Sequence, residues 1–245
     1  MLDRLAAAWR AALVPIRRPP VINPGLYLLT KAVLLPLFYG PLRLRRIGHR
    51  QIPRRGATIV VCNHVSFFDP LIIGAAIRPR RAYLMAKSEL FRSKGLAWWM
   101  SRCGAFPVQR ATADRESIRT ARQILEAGHC LVLFPEGGVT RTGVMRPGFP
   151  GSGALALLPD VTVIPAVIWN TQMLRGPVRV RFGAPIPMQD LRDGPKAGRN
   201  QRATERIMAH LAALLPLVGG PVQAPPTGEP WVPAPRADGK GVIRS

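Results

Sequence analysis

Acidic residues are scarce in this 245-residue chain, with 13 Asp plus Glu against 35 Lys plus Arg and a formal charge of +22. A positive field of this size attracts polyanions, so nucleic acid, an anionic membrane surface and small phosphorylated substrates are all candidate partners. A GC-rich genome also raises arginine content. Charge alone therefore does not choose among these partners.

Cysteine and histidine are also sparse. The three cysteines show no C-x-x-C spacing and lie in apolar stretches, which favours small buried thiols over disulfide partners, metal ligands or nucleophiles. The four histidines lack the close spacing of a zinc site. The sequence therefore implies no metal, and its cysteine usage suits a reducing compartment.

A long run of purely apolar residues is missing as well. Residues 1–18 predict a basic amphipathic helix, which would lie in a membrane surface or dock on the protein's own core. Its apolar stripe is formed by Leu2, Leu5, Trp9, Leu13 and Ile16. The next apolar run, 25–42, is just long enough to span a bilayer, but Lys31 lies inside it at a cost. We expect two helices dipping into one leaflet, with a single span as the alternative.

From residue 56 onward, β-branched runs alternate with helical stretches. This pattern predicts an α/β domain, over 43–218, with a mixed or mostly parallel sheet flanked by helices and preceded by the two-helix membrane motif, 1–42. The expected strands are Thr58–Cys62, Ala82–Ala86, Cys130–Phe134, Val161–Ile168 and Val178–Phe182. The expected helices lie near 70–77, 89–102, 113–127, 152–158 and 200–216. The tail, 219–245, is rich in Pro and Gly and is expected to be disordered.

Three polar clusters follow apolar runs at predicted strand ends, where α/β sheets bind ligands. They are Asn63-His64-Val65-Ser66-Phe67-Phe68-Asp69-Pro70, then Gly104-Ala105-Phe106-Pro107-Val108-Gln109-Arg110, then Phe134-Pro135-Glu136-Gly137-Gly138. In the first, Asp69 and Pro70 predict a helix start with Asp69 as N-cap. A tight turn would fold His64 back onto the Asp69 carboxylate, an arrangement that makes a histidine an effective general base. Taken singly, each cluster could also be purely structural.

Taken together, the clusters resemble the lysophosphatidic acid acyltransferase family, the 1-acyl-sn-glycerol-3-phosphate acyltransferases and their relatives. That family carries N-H-x-x-x-x-D, G-x-x-[FP]-[IV]-x-R, F-P-E-G and a later V-P-V-like element, and this chain has similar residues in that order, ending with Val163-Ile164-Pro165-Ala166. The segment Met85-Ala86-Lys87-Ser88-Glu89-Leu90 is similar to a further family element. The resemblance covers residues 40–190.

The resemblance implies a role for each matched residue. His64 would take the proton of the acceptor hydroxyl, with Asp69 holding it. Glu136 and Gly137 would help to bind the acceptor's glycerol and phosphate, and Arg110 and Lys87 would pair with phosphate. No cofactor is needed beyond the acyl donor, acyl-CoA or acyl-carrier protein, because a thioester is already activated.

One departure from the family pattern concerns the acceptor. Many members continue F-P-E-G-T-R-S, whereas this chain reads F-P-E-G-G-V-T-R-T-G and places Arg141, a further candidate for substrate binding, two residues later. The leading acceptor is lysophosphatidic acid. The alternatives are another lysophospholipid, a lyso-aminolipid or a glycolipid acceptor, and a non-catalytic basic protein that coats membranes or nucleic acid. We expect the enzyme at the cytoplasmic face of the cell membrane, without a nucleic-acid partner.

Overall fold

The predicted α/β architecture is present in a computed structural model of the chain, which describes residues 19–78, 80–108, 115–172 and 177–228. Its strands are β1 Arg45–Ile47, β2 Thr58–Cys62, β3 Ala82–Lys87, β4 Ala105–Val108, β5 Cys130–Leu133, β6 Thr162–Trp169 and β7 Arg179–Phe182. Its α-helices are α1 Pro24–Tyr39, α2 Asp69–Ala76, α3 Lys94–Arg102, α4 Arg115–Glu126, α5 Pro150–Ala156, α6 Gln189–Asp193 and α7 Arg199–Leu214. Short 3-10 helices span His49–Gln51, Ser88–Arg92 and Leu215–Val218.

All the strands form one sheet in the order β1-β7-β6-β2-β5-β3-β4. Every neighbouring pair is parallel except β6 and β7, which are antiparallel. The sheet is therefore mixed and mostly parallel, as predicted. Five strands, β6, β2, β5, β3 and β4, run in one direction, and their carboxyl ends share one edge of the sheet.

Two hydrophobic cores lie on opposite faces of the sheet. In β2, Ile59 and Val61 enter the core that contains residues of α4, α5 and α7, while Val60 and Cys62 enter the core that contains residues of α1 and α2. Strand β2 is fully buried because successive side chains point to opposite faces and both faces are covered. This burial on both faces explains why the sequence of β2 is an uninterrupted apolar run.

Three details differ from the sequence expectations. Strands β1 and β4 were not predicted, and β4 begins directly after Gly104, within the second polar cluster. The helix expected at 89–102 is divided into the 3-10 helix Ser88–Arg92 and α3. Asp69 is not an N-cap: helix α2 begins at Asp69, and Phe68 occupies the capping position without a side-chain hydrogen bond. The Asp69 carboxylate is engaged elsewhere, as described below.

The second of the two predicted N-terminal helices is α1, which begins after the N-cap Asn23 and contains Pro36. In the described part of the chain, no helix is long and apolar enough to cross a membrane. The first predicted helix, 1–18, lies outside the described residues. The described part of the predicted tail, 219–228, has no helix or strand, and Gln223 in it accepts a hydrogen bond from the backbone N–H of Met145 (2.9 Å).

Candidate active site

The motif residues meet at the carboxyl edge of the five parallel strands. His64 follows β2, Glu136 follows β5, and Lys87 is the last residue of β3. Strand β5 lies beside β2 in the sheet, so the His64 and Glu136 segments are direct neighbours. The order of the strands thus assembles residues that are far apart in the sequence into one site.

His64 and Asp69 form a buried pair, as the sequence predicted. The imidazole Nδ1 lies 3.0 Å from Asp69 Oδ2, and the two residues are 4% and 0% exposed. The His64 ring also stacks on Phe134, with the ring centroids 4.3 Å apart. Because an ionised carboxylate can only accept, Nδ1 carries the proton and Nε2 keeps its lone pair. This is the tautomer that a general base requires.

Asp69 is itself held by the turn that precedes it. Its Oδ2 accepts hydrogen bonds from the backbone N–H groups of Val65 and Ser66, both at 2.7 Å. Its Oδ1 accepts a hydrogen bond from the hydroxyl of Thr171 (2.6 Å). With these donors, a carboxylate that is completely buried remains fully hydrogen-bonded, so its position and that of His64 are fixed before substrate arrives.

Glu136 is turned towards the protein interior. Its Oε1 accepts a hydrogen bond from the backbone N–H of His64 (2.9 Å), while Oε2 accepts from the hydroxyl of Thr140 (2.5 Å) and the backbone N–H of Arg146 (3.1 Å). Burial raises the pKa of the Glu136 carboxyl, although these donors and the nearby His64 oppose the rise. This placement favours a role in positioning His64 over the direct acceptor contact that the family resemblance implies.

Two residues of the site carried no role in the sequence analysis. Asn63 uses both atoms of its side-chain amide on the backbone of Ile168 in β6, at 2.8 and 3.0 Å, and so ties the His64 turn to the neighbouring strand. Thr171, which follows β6, anchors Asp69. The rule that polar residues at strand ends form the site would have found Thr171, because it comes two residues after β6 ends.

The remaining predicted site residues are Lys87, Arg141, Arg110 and Gly137, and the described ones among the charged residues are partly or fully exposed. The Nζ atom of Lys87 lies 2.8 Å from Glu89 Oε1, with both side chains partly exposed. Arg141 is exposed in the loop after β5. Arg110 lies outside the described residues. Gly137 has φ +66°, and a Cβ built there would lie 2.5 Å from the Phe149 ring, so this turn needs glycine.

Cys62 is poorly suited to act as a nucleophile at this edge. Cys62 is buried at the end of β2, and burial raises the pKa of its thiol well above the usual value, with Asp69 and Glu136 adding to the rise. A thiol in this environment is a poor nucleophile. Across the described ranges, no group of three or more His, Cys, Asp or Glu side chains is arranged to hold a metal ion.

A family model described as Acyltransferase matches residues 43–169, just over half of the chain. This chain belongs to the acyltransferase family. The match includes the His64–Asp69 pair and Glu136, and it ends with the last residue of β6. The acyltransferase region therefore begins just before β1 and contains most of the sheet.

Several proteins of the acyltransferase family are similar to this chain. The 1-acyl-sn-glycerol-3-phosphate acyltransferase of Streptococcus pneumoniae is 29% identical over 140 residues, which are 55% of this chain and 52% of that protein. The enzyme of the same name from Bacillus subtilis is 26% identical over 168 residues, covering 66% of this chain and 83% of that protein. The chain thus matches about half the length of the first relative and most of the second.

The fold agrees with a solved structure. The crystal structure of the 1-acyl-sn-glycerophosphate (LPA) acyltransferase PlsC from Thermotoga maritima superposes with a TM-score of 0.58. The superposition covers 75% of each chain at 22% sequence identity. At this identity the likeness establishes the fold, a mostly parallel sheet flanked by helices.

Proposed function

We propose that this protein transfers a fatty acyl group from a thioester to the free hydroxyl of lysophosphatidic acid, giving phosphatidic acid for phospholipid biosynthesis. The observation that carries the proposal is the buried His64–Asp69 pair, with Nδ1 on the carboxylate and Nε2 available as a base. The names of the relatives from S. pneumoniae and B. subtilis support lysophosphatidic acid as the acceptor.

The reaction follows from this geometry. His64 removes the proton of the acceptor hydroxyl as the oxygen attacks the thioester carbonyl, and Asp69 stabilises the resulting imidazolium. The tetrahedral intermediate then expels the thiolate, which takes the proton back from His64. Acyl transfer is direct in this mechanism. Cys62 is buried in the sheet, and the hydroxyl oxygen of the buried Ser66 accepts a hydrogen bond from the backbone N–H of Phe68 (3.3 Å).

Cations at the same edge would hold the acceptor phosphate. Lys87 ends β3 at this edge. Arg110 lies outside the described residues and comes two positions after Val108, the last residue of β4, in the sequence. Arg141 follows β5 and is the third candidate. A phosphate binds such cations through charge-assisted hydrogen bonds, and an arginine can bind it with two at once. Glu136 positions the His64 backbone in this proposal.

The membrane would supply the lipid acceptor. Helix α1 exposes Leu28, Leu29, Val33 and Leu37, each at least half exposed. An apolar helix face of this kind inserts shallowly into a bilayer, and basic residues beside it bind anionic head groups. This surface supports membrane association, and we propose the cytoplasmic face of the cell membrane as its location. In the variant Leu29→Glu/Val33→Glu, binding to anionic vesicles should weaken while the soluble fold is retained.

Turnover of the purified full chain tests the proposal. Labelled acyl-CoA and acyl-carrier protein would each be offered with a panel of lysolipids, including lysophosphatidic acid, lysophosphatidylcholine and a lyso-aminolipid. We expect the highest turnover with lysophosphatidic acid. A clear preference for another lysolipid would support the alternative acceptor class, which the two additional residues before Arg141 favour. Salt-sensitive binding to vesicles without any turnover would overturn the enzyme assignment.

A further inference from the structure

A second group of basic residues lies at the opposite end of α2 from the active site. A groove of about 480 Å³ runs between α1 and the end of α2, lined by Ala32, Leu35, Pro36, Tyr39, Arg46 and Arg78. Asp69 starts α2, which is eight residues long, and the groove lies at its other end, so the two sites are about 12 Å apart along the helix.

Two cations, Arg46 and Arg78, line this groove, and a third, Lys31, is held beside it at the end of α2. Lys31 Nζ donates to the carbonyl oxygen of Ile77 (2.9 Å), and Arg46 donates to that of Ala76 (3.1 Å), so adjacent carbonyls hold the two side chains side by side. Arg78 is the next residue along the chain. The pKa of Lys31 is lowered to about 8 by burial and by the charges of Arg78 and Arg46, which is consistent with this proximity.

In the part of the chain that the structure describes, no salt bridge joins Lys31, Arg46 or Arg78 to a carboxylate. The sequence has no Asp or Glu in 4–68 or 70–88, which include α1, β1 and all of α2 after Asp69. The carbonyls at the end of α2 offset only about half a charge. A ligand with negative charge would therefore gain from binding here.

The shape of the groove selects an amphiphilic anion. Ala32, Leu35, Pro36 and Tyr39 recur at helical spacing along α1 and form an apolar wall beside the cations. The neighbouring Val33 and Leu37 are exposed, so this wall continues into the apolar surface of the helix. An inorganic anion would use the cations but not the wall, whereas an anionic phospholipid would use both.

We propose that the groove between α1 and the end of α2 binds one anionic phospholipid, with its phosphate at Lys31, Arg46 and Arg78 and an acyl chain along α1. This lipid is a resident of the membrane and not the acyl acceptor. Its role is to orient the enzyme on the bilayer. The proposal does not depend on the reaction at His64, because the two sites lie at opposite ends of α2.

Photolabelling of the full chain on vesicles tests the proposal. Phosphatidylglycerol and phosphatidylcholine probes, each with a photoreactive acyl chain, would be compared by the labelling of residues 32–43. Arg46→Gln/Arg78→Gln should lower phosphatidylglycerol labelling roughly 25-fold, since each cation contributes about fivefold near an anionic lipid. The control Arg54→Gln/Arg55→Gln removes two exposed arginines elsewhere and should retain it. Because Arg46 also supports α2, the single variant Arg78→Gln provides an independent test, with a loss of about fivefold expected.

Three results would overturn the proposal. The two probes could label wild-type residues 32–43 equally, which would indicate simple contact with the bilayer. The control variant could lose as much labelling as Arg46→Gln/Arg78→Gln, which would indicate general surface charge. Inorganic phosphate could displace the probe as well as unlabelled phosphatidylglycerol, which would indicate a site for free phosphate. Acyl transfer measured on the same samples reports on the proposed function separately.

Discussion

Glu136 Oε1 lies 2.9 Å from the backbone nitrogen of His64, 72 residues earlier in the chain. The Thr140 N–H in turn donates to the carbonyl oxygen of His64 (2.6 Å). Both backbone groups of His64 are therefore bound to the loop that follows β5. The two motifs act as one unit, in which Asp69 fixes the imidazole and Glu136 fixes the backbone that carries it.

Replacement of His64 by alanine should lower acyl transfer roughly 10²- to 10⁴-fold, the usual contribution of a general base. The rate would be measured with purified protein and labelled acyl-CoA, and circular dichroism would show that the fold is intact. His210→Ala is the matched control, because His210 lies on α7 and its Nδ1 lies 2.9 Å from the carbonyl oxygen of Arg206, one turn earlier in the same helix. Equal activity of His64→Ala and the control would exclude His64 as the base.

Thr171→Val should lower kcat about tenfold with little change in KM, since it removes one hydrogen bond to a buried charge. Thr171→Ser retains the hydroxyl and should restore most of the rate. Thr142→Val, at an exposed position, is the control. If Thr171→Ser were as slow as Thr171→Val, the methyl group and not the hydrogen bond to Asp69 would be the feature that matters.

The raised pKa of Glu136 gives stability a pH dependence. The folded state favours the protonated carboxyl, so this contribution to stability is fully present below the usual pKa of 4.5 and is lost as pH rises through the folded value. Urea unfolding of wild type and Glu136→Gln, followed from below pH 4.5 upward, would measure this pH-dependent contribution. The wild-type free energy of unfolding should fall relative to that of the variant as pH rises. An unchanged difference would contradict the raised pKa.

Gly137→Ala should destabilise the fold more than Gly128→Ala. Both glycines have positive φ, +66° and +73°, but a Cβ at Gly128 meets nothing within 4 Å, whereas one at Gly137 overlaps the Phe149 ring. The left-handed conformation costs an alanine about 1 kcal/mol in either variant, and the overlap adds to this only at Gly137. Thermal unfolding compares the two. Equal melting temperatures would mean that Phe149 moves aside freely.

Most of the sheet could be predicted because β2, β3, β5 and β6 are mainly apolar runs with clear ends, and because the apolar Val180 and Phe182 alternate with arginines in β7. Strands β1 and β4 could not, since they are short and contain Arg45 and Arg46 or Pro107, and they exist by pairing with β7 and β3. The His64–Asp69 pair was predictable because it is local. Thr171 acts on Asp69 from 102 residues away, a contact that only the sheet order creates.

The pKa of Lys31 can be measured directly and reports on the charges at the groove between α1 and the end of α2. Burial is the largest cause of its lowered pKa, followed by Arg78 and Arg46. Lysine side-chain NMR should therefore show Lys31 titrating near 8 in wild type. In Arg78→Gln its pKa should rise but stay below the usual 10.5, because burial remains. Arg54→Gln should leave it unchanged.

The same shift predicts the direction of a pH effect on stability. Between about pH 8 and 10.5 the unfolded chain holds a proton on Lys31 that the folded chain has lost. Stability therefore rises with pH across this window through this group. The free energy of unfolding of wild type should rise relative to that of Lys31→Met from pH 8 to 10.5. A relative fall would mean that Lys31 is paired with a negative charge in the folded protein, and Lys31 would then not be one of the unbalanced cations that the proposed lipid phosphate binds.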